Sequence, residues 1–145
     1  MEQIVKSLNE FLADLNVFYR KLQNYHWNIT GEHFFVLHAK LEEYYDEINA
    51  QIDEIAEHIL ILGHQPMGTM KGYLETTKIQ EAEDKKVSND VVLKGTIDGI
   101  NILKQKSTEI KKLADDNQLY ETSSLMDEYM SNYAKKLWML NQSMQ

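Results

Sequence analysis

The sequence predicts an all-α fold: a bundle of four long helices with a short extra helix in the second connection. Two observations predict it. Apolar residues recur at alternating steps of three and four along four extended stretches, which is the period of a helix that buries one face. Turn-forming residues are scarce, with one proline and six glycines among 145 residues, where a sheet protein would need many more. An apolar content of 43% suffices for one core, so residues 1–145 are expected to form a single domain.

The first stripe is Ile4, Leu8, Phe11, Leu15, Phe18, Leu22 and Tyr25, which predicts a helix over about 3–28. Gly31 follows it and can take the positive φ that ends a helix. A second stripe, Phe34, Leu37, Leu41, Tyr44, Ile48, Ile52, Ile55, Ile59 and Leu62, runs without a breaker until Gly63-His64-Gln65-Pro66. Proline removes a backbone donor and restricts the residue before it, so the helix must stop there. The next stretch is mixed, with an apolar patch at Met67, Met70, Tyr73 and Leu74, and a short helix is placed at about 71–77. Ser88 or Asn89 can cap a third long helix through Val92, Ile97, Ile100, Leu103, Ile110 and Leu113. A fourth, from about 121, carries Leu125, Tyr129, Tyr133, Leu137 and Leu140.

Composition narrows the chemistry. Without cysteine, any metal must be held by nitrogen and oxygen, which favours iron, manganese or zinc. The charged residues Glu2, Lys6, Glu10, Asp14 and Arg20 leave no room for a signal peptide's apolar core, and no run approaches membrane-spanning length. A cytoplasmic protein with no membrane partner is expected. A net charge of −8 repels a nucleic-acid backbone, and no basic arm offsets it, so direct DNA binding is not expected. Lys104, Lys106, Lys111 and Lys112 are interspersed with acids and read as a solvated helix face.

The second helix carries the clearest chemical signal. His38 and Glu42 are four residues apart, as are Asp53 and Glu57, so each pair lies on one face. At 100° per residue, positions 38, 42, 53 and 57 project at about 0°, 40°, 60° and 100°, a single stripe. The two pairs are nevertheless roughly 22 Å apart along the axis, far beyond the ~4 Å between ligands of one ion. Two copies packed antiparallel about a twofold axis near residues 46–49 would place His38 and Glu42 of one against Asp53 and Glu57 of the other. His26, just across the Gly31 turn, can add a second imidazole. Imidazole and carboxylate with open positions suit Fe(II), and zinc or manganese fits the same set. Singly, a histidine on an amphipathic helix is more often a core or boundary residue than a ligand, and His33, His58 and His64 take that default. The intra-bundle di-iron pattern is excluded, because it requires Glu-x-x-His on two helices and no Glu here precedes His by three.

The segment Asn24-Tyr-His-Trp-Asn-Ile-Thr-Gly-Glu-His-Phe-Phe-Val-Leu-His38, with Asp53-Glu-Ile-Ala-Glu57, strongly resembles the Dps family of dodecameric miniferritins. The resemblance continues through Leu62-Gly-His-Gln-Pro-Met-Gly-Thr69 and Lys136-Leu-Trp-Met-Leu140. It implies a ferritin-like four-helix bundle, a homododecamer built from antiparallel dimers, and a ferroxidase that oxidises Fe(II) with hydrogen peroxide or oxygen and stores ferric mineral. It implies His26, His38 and Glu42 as iron ligands from one subunit, with Asp53 and Glu57 from its twofold partner. Family members most often have Asp where this chain has Glu42, and many have Arg where it has His58. Trp27 resembles the family tryptophan beside the site, where either interception of stray oxidising equivalents or packing alone explains it, whereas Trp138 is read as core. Family members have acidic entry pores near the start of the last helix, where the acids available are Asp115, Asp116, Glu121 and Asp127; a position often Asp is here Ser124, so the pore is not assigned to particular residues. The rival reading is a DNA-compacting nucleoid protein, a role that commonly depends on lysine-rich tails.

Overall fold

The computed structural model describes residues 1–144. It contains α1 (Glu2–Asn28), α2 (Phe34–Ile61), α3 (Met70–Thr76), α4 (Asn89–Asp116) and α5 (Tyr120–Ser143). Each expected helix is present, with bounds shifted by a residue or so.

The breaks follow local chemistry. Gly31 takes φ +121° between α1 and α2, and Gly63 takes φ +84° after α2. There His64 N–H donates back to Ile59 O at 3.1 Å, closing the helix end. The Thr69 side chain accepts from Gly72 N at the start of α3, and Ser88 accepts from Val91 N at the start of α4. Of the two caps considered for the third long helix, Ser88 fills the role, which leaves Asn89 free for another. The α4–α5 turn places Gln118 at φ +58°.

Packing is organised around α1, which lies against α2, α3 and α4, while α4 packs on α5. Leu8, Phe11, Leu12, Leu15 and Leu22 are completely buried, and the second, third and fourth stripes close over them with Leu41, Ile55, Ile59, Leu103, Ile110, Met126 and Tyr133. Two glycines let α1 and α4 approach: a Cβ on Gly95 would stand 2.1 Å from Tyr25 Oη, and one on Gly99 would stand 2.2 Å from Phe18 Cε1. The connector is anchored to α1 by buried Asp14, whose Oδ1 accepts from Thr77 Oγ1 and Lys78 N, both at 2.8 Å. Polar pairs link α2 to α5: Tyr133 Oη donates to Gln51 Oε1 at 2.7 Å, Tyr129 Oη donates to Glu54, and Lys136 pairs with Glu47.

Three expectations are corrected. Lys106 is buried rather than solvated, with its ammonium 3.1 Å from Glu10 and 3.2 Å from Glu109. It falls between Leu103 and Ile110 on the inward stripe, and its charge survives there because two carboxylates neutralise it. Trp138 is not core but 62% exposed, because the inward stripe of α5 passes through Leu137 and the next residue turns 100° away. His33 is largely exposed at the start of α2, whereas His58 is buried against Thr122 as its default predicts. Among the described residues no helix is long and apolar enough to cross a membrane.

Candidate metal centre

His26 lies in the last turn of α1 and His38 in the second turn of α2, with only residues 29–33 between the two helices. Reversal of the chain stacks the two imidazoles, with ring centroids 3.7 Å apart and planes inclined by 9°. His26 Nδ1 lies 2.6 Å from His38 O, and His38 Nδ1 lies 2.7 Å from His26 O. A backbone carbonyl can only accept, so each Nδ1 carries a hydrogen, and in the neutral imidazole it is Nε2 that holds the lone pair. That is the tautomer a metal requires of an Nε2 ligand.

Glu42, one turn beyond His38, brings Oε1 to 3.5 Å from His26 Nε2. Thus His26 lies beside both His38 and Glu42 within one chain, although the three do not close on a common point. The cluster is walled by aromatic rings, Tyr45 edge-on to His26 at 5.4 Å and Phe34 stacked on His38 at 4.9 Å. Burial raises the Tyr45 phenol, and the carboxylates of Glu42 and Asp46 raise it further, so it stays protonated.

Asp53 and Glu57 stand elsewhere on α2. Both are exposed, one turn apart, on the rim of an open cleft toward α5 that Glu54, His58 and Glu121 also line. Two of these neighbours are already engaged, since Glu54 accepts from Tyr129 and His58 Nε2 lies 2.7 Å from Thr122 Oγ1. Burial pushes the His58 imidazole down from its ordinary value, against the pull of Glu121 and Glu54. α2 is unbroken from Phe34 to Ile61, so the His38 and Asp53 positions are on the order of 22 Å apart along its axis. Among the described residues no three His, Asp or Glu side chains come together closely enough to hold an ion.

Trp27 is 60% exposed, with the Arg20 guanidinium 5.8 Å from its ring. Of the acids considered for an entry pore, Asp115 and Asp127 are paired with Lys111 at 3.6 and 3.1 Å.

A family described as Ferritin, Ferritin-like domain, matches residues 5–145. A protein of Bacillus anthracis called DNA protection during starvation protein 2 is 38% identical over 141 residues, covering 96% of this chain and 94% of that one. The crystal structure of a Vibrio cholerae DPS protein, described as a member of a broad superfamily of ferritin-like diiron-carboxylate proteins, superposes with a TM-score of 0.95 at 39% identity. It covers 99% of this chain and 90% of its own. The antigen TpF1 structure from Treponema pallidum gives a TM-score of 0.97 at 31% identity, covering 99% and 92%. The chain belongs to the Dps family.

As a Dps-family miniferritin it has the expected all-α, ferritin-like fold, including the short helix in the second connection. What the sequence did not reveal is the support around the histidines. Asn89 Nδ2 donates to Thr30 O at 2.9 Å, and His33 N–H donates to Asn89 Oδ1 at 3.0 Å. Residues so distant along the chain share no local pattern, so only the fold brings them together.

Proposed function

We propose that two copies of this Dps-family chain pair antiparallel through α2, and that each pair forms two Fe(II)-oxidising sites. His26, His38 and Glu42 of one copy and Asp53 and Glu57 of the other bind the iron, which is substrate as well as cargo. The observation that carries this reading is the reciprocal histidine pair, whose Nδ1 atoms both face backbone carbonyls so that Nε2 is the nitrogen left for a metal, with the Glu42 carboxylate 3.5 Å from His26 Nε2. The three groups supply nitrogen and oxygen ligation, and the partner's two carboxylates supply the charge needed to hold a second cation. Zinc and manganese are accommodated by the same ligands as substitutes.

The reaction is balanced by hydrogen peroxide: two Fe(II) each lose one electron, the O–O bond breaks, two protons are taken up, and two Fe(III) and two waters result. Holding two irons together delivers both electrons to one peroxide, so a hydroxyl radical is not released. Oxygen is the alternative oxidant. Trp27, next in sequence to His26, is the oxidisable side chain placed to intercept an electron-deficient species that escapes this pairing. Twelve subunits forming a hollow shell would store the ferric product, and DNA would be protected by removal of iron and peroxide rather than by contact.

Anaerobic loading with Fe(II) followed by hydrogen peroxide tests the proposal. Two irons oxidised per peroxide, with ferric product eluting with a large assembly, is the expected result. Oxidation at the rate of buffer, with iron precipitating outside the protein, would leave a helical assembly without ferroxidase activity.

A further inference from the structure

The two imidazoles of the candidate centre sit on different helices, and their arrangement depends on how the end of α1 is held against the start of α2. Only the five residues 29–33 join those ends. The turn's own hydrogen bond, from Phe34 N–H to Gly31 O at 3.2 Å, leaves other backbone groups beside it to be satisfied from elsewhere. Gly31 is at φ +121°, and the Thr30 O and His33 N groups flanking it are satisfied by the side chain of Asn89, more than fifty residues away at the first position of α4. The backbone nearby is tied as well, with Thr30 N–H donating to Val87 O at 2.9 Å and Val87 N–H to Asn28 O at 3.1 Å. Asn89 is the only side chain that bridges both sides of Gly31, among the hydrogen bonds of the described residues.

We propose that Asn89 is a positioning residue for the metal centre: its amide braces the Gly31 turn and thereby fixes the register in which His26 and His38 hold each other's carbonyls. This inference rests on the metal-binding reading above. An amide is required because the site needs one donor, toward Thr30 O, and one acceptor, toward His33 N, from a single planar group. The packing is close, since a Cβ on Gly31 would stand 3.2 Å from Asn89 Nδ2. Nothing about α4 itself calls for this amide. Ser88 already caps the helix, and a carboxylate at the first helical position would suit the helix dipole better than an amide does.

That contrast separates a brace from a helix-forming residue. Asn89→Asp keeps the shape and the acceptor, favours α4, and turns the donor toward Thr30 O into a repelling oxygen. If Asn89 merely served α4, the aspartate would be harmless. If it braces the turn, the register of the histidines loosens, and metal sites tolerate displacements of only a few tenths of an ångström. Loss of an orienting partner outside the ligands typically weakens metal binding by about 10–100-fold.

The test is an anaerobic Co(II) titration of the assembled full-length protein, followed by the visible d–d absorption, on the parent, Asn89→Asp, Asn89→Ala and His26→Ala. Thermal midpoint and elution volume are recorded for each. The brace predicts Co(II) affinity reduced about tenfold or more in both Asn89 variants, approaching His26→Ala, with assembly intact and the midpoint of Asn89→Asp close to the parent. Parent-like Co(II) affinity and spectrum in Asn89→Asp would overturn it. So would an affinity loss that appears only together with loss of the assembled form, which would make Asn89 a general stabiliser of the fold. A parent protein that gives no Co(II) spectrum would instead overturn the metal-binding reading, and the brace would fall with it.

Discussion

His26 and His38 hold each other by the backbone: each Nδ1 lies within 2.7 Å of the other residue's carbonyl oxygen, and the rings stack at 3.7 Å. The rings support each other by stacking, so truncating one removes that face from the other, although the backbone carbonyl that orients the remaining ring is kept. His38→Ala should abolish the rapid phase of peroxide-driven iron oxidation and weaken metal binding at least as much as the loss of a single ligand would. Stopped-flow absorbance of the ferric product measures this. A variant that oxidises iron at the parent rate would remove His38 from the centre.

The unbroken α2 between His38 and Asp53 leads to a test of how the site is shared. In a twofold dimer each site takes its histidines from one chain and Asp53 and Glu57 from the other. His26→Ala and Asp53→Ala should each be inactive alone. In a co-assembled mixture, a mixed dimer carries one doubly damaged site and one fully native site, so random pairing should restore about a quarter of the parent activity. A site contained within one chain predicts no recovery at all. Refolding equal amounts of the two variants together and measuring the rapid oxidation phase decides between them.

Much of this was legible in the sequence because periodicity reports burial directly. The apolar stripes located α1, α2, α4 and α5, and the four-residue spacings placed His38 with Glu42 and Asp53 with Glu57 on one helical face. What was not legible depends on distant parts of the chain meeting. Lys106 looked solvated because its carboxylate partner Glu10 is 96 positions away. Trp138 was read as core, although the helical period turns it outward. The Asn89 contacts across the Gly31 turn leave no trace in local pattern. The two residue pairs on α2 were read from helix geometry, while the carbonyls facing the two Nδ1 atoms emerged only when the two helices were placed side by side.

Asp14 gives a prediction in pH. Burial raises its carboxyl above the ordinary value, and the bonds from Lys78 N and Thr77 only partly offset this. The folded protein therefore holds this proton more tightly than the unfolded chain does, so the ionised group costs stability once the pH exceeds the raised value. The cost fades as the pH falls through the raised value toward the ordinary one. The substitution Asp14→Asn retains an acceptor oxygen for both bonds and leaves no charge to bury. It should accordingly raise the urea midpoint at neutral pH, with the advantage shrinking under acid conditions. An advantage that grew on acidification would show that the ionised form is the stabilising one.

Gly99 sits where α4 crosses α1, and two opposing effects meet there. Alanine is favoured over glycine within a helix by about 1 kcal/mol, so an exposed position would gain from the change. Here the added Cβ would lie 2.2 Å from Phe18 Cε1 and 2.6 Å from Phe18 Cδ1. Phe18 is only 1% exposed, so its ring has no free volume into which to retreat. Relief requires α4 to move away from α1 or the ring to leave its rotamer, and overpacking of this kind typically costs about 1–3 kcal/mol. The packing cost should outweigh the propensity gain, and Gly99→Ala should unfold at a lower temperature than the parent at equal protein concentration. Adding Phe18→Leu, which shortens the opposing side chain, should recover part of the loss. If the single variant proves more stable than the parent, helix propensity governs this crossing and the glycine is not there for close approach.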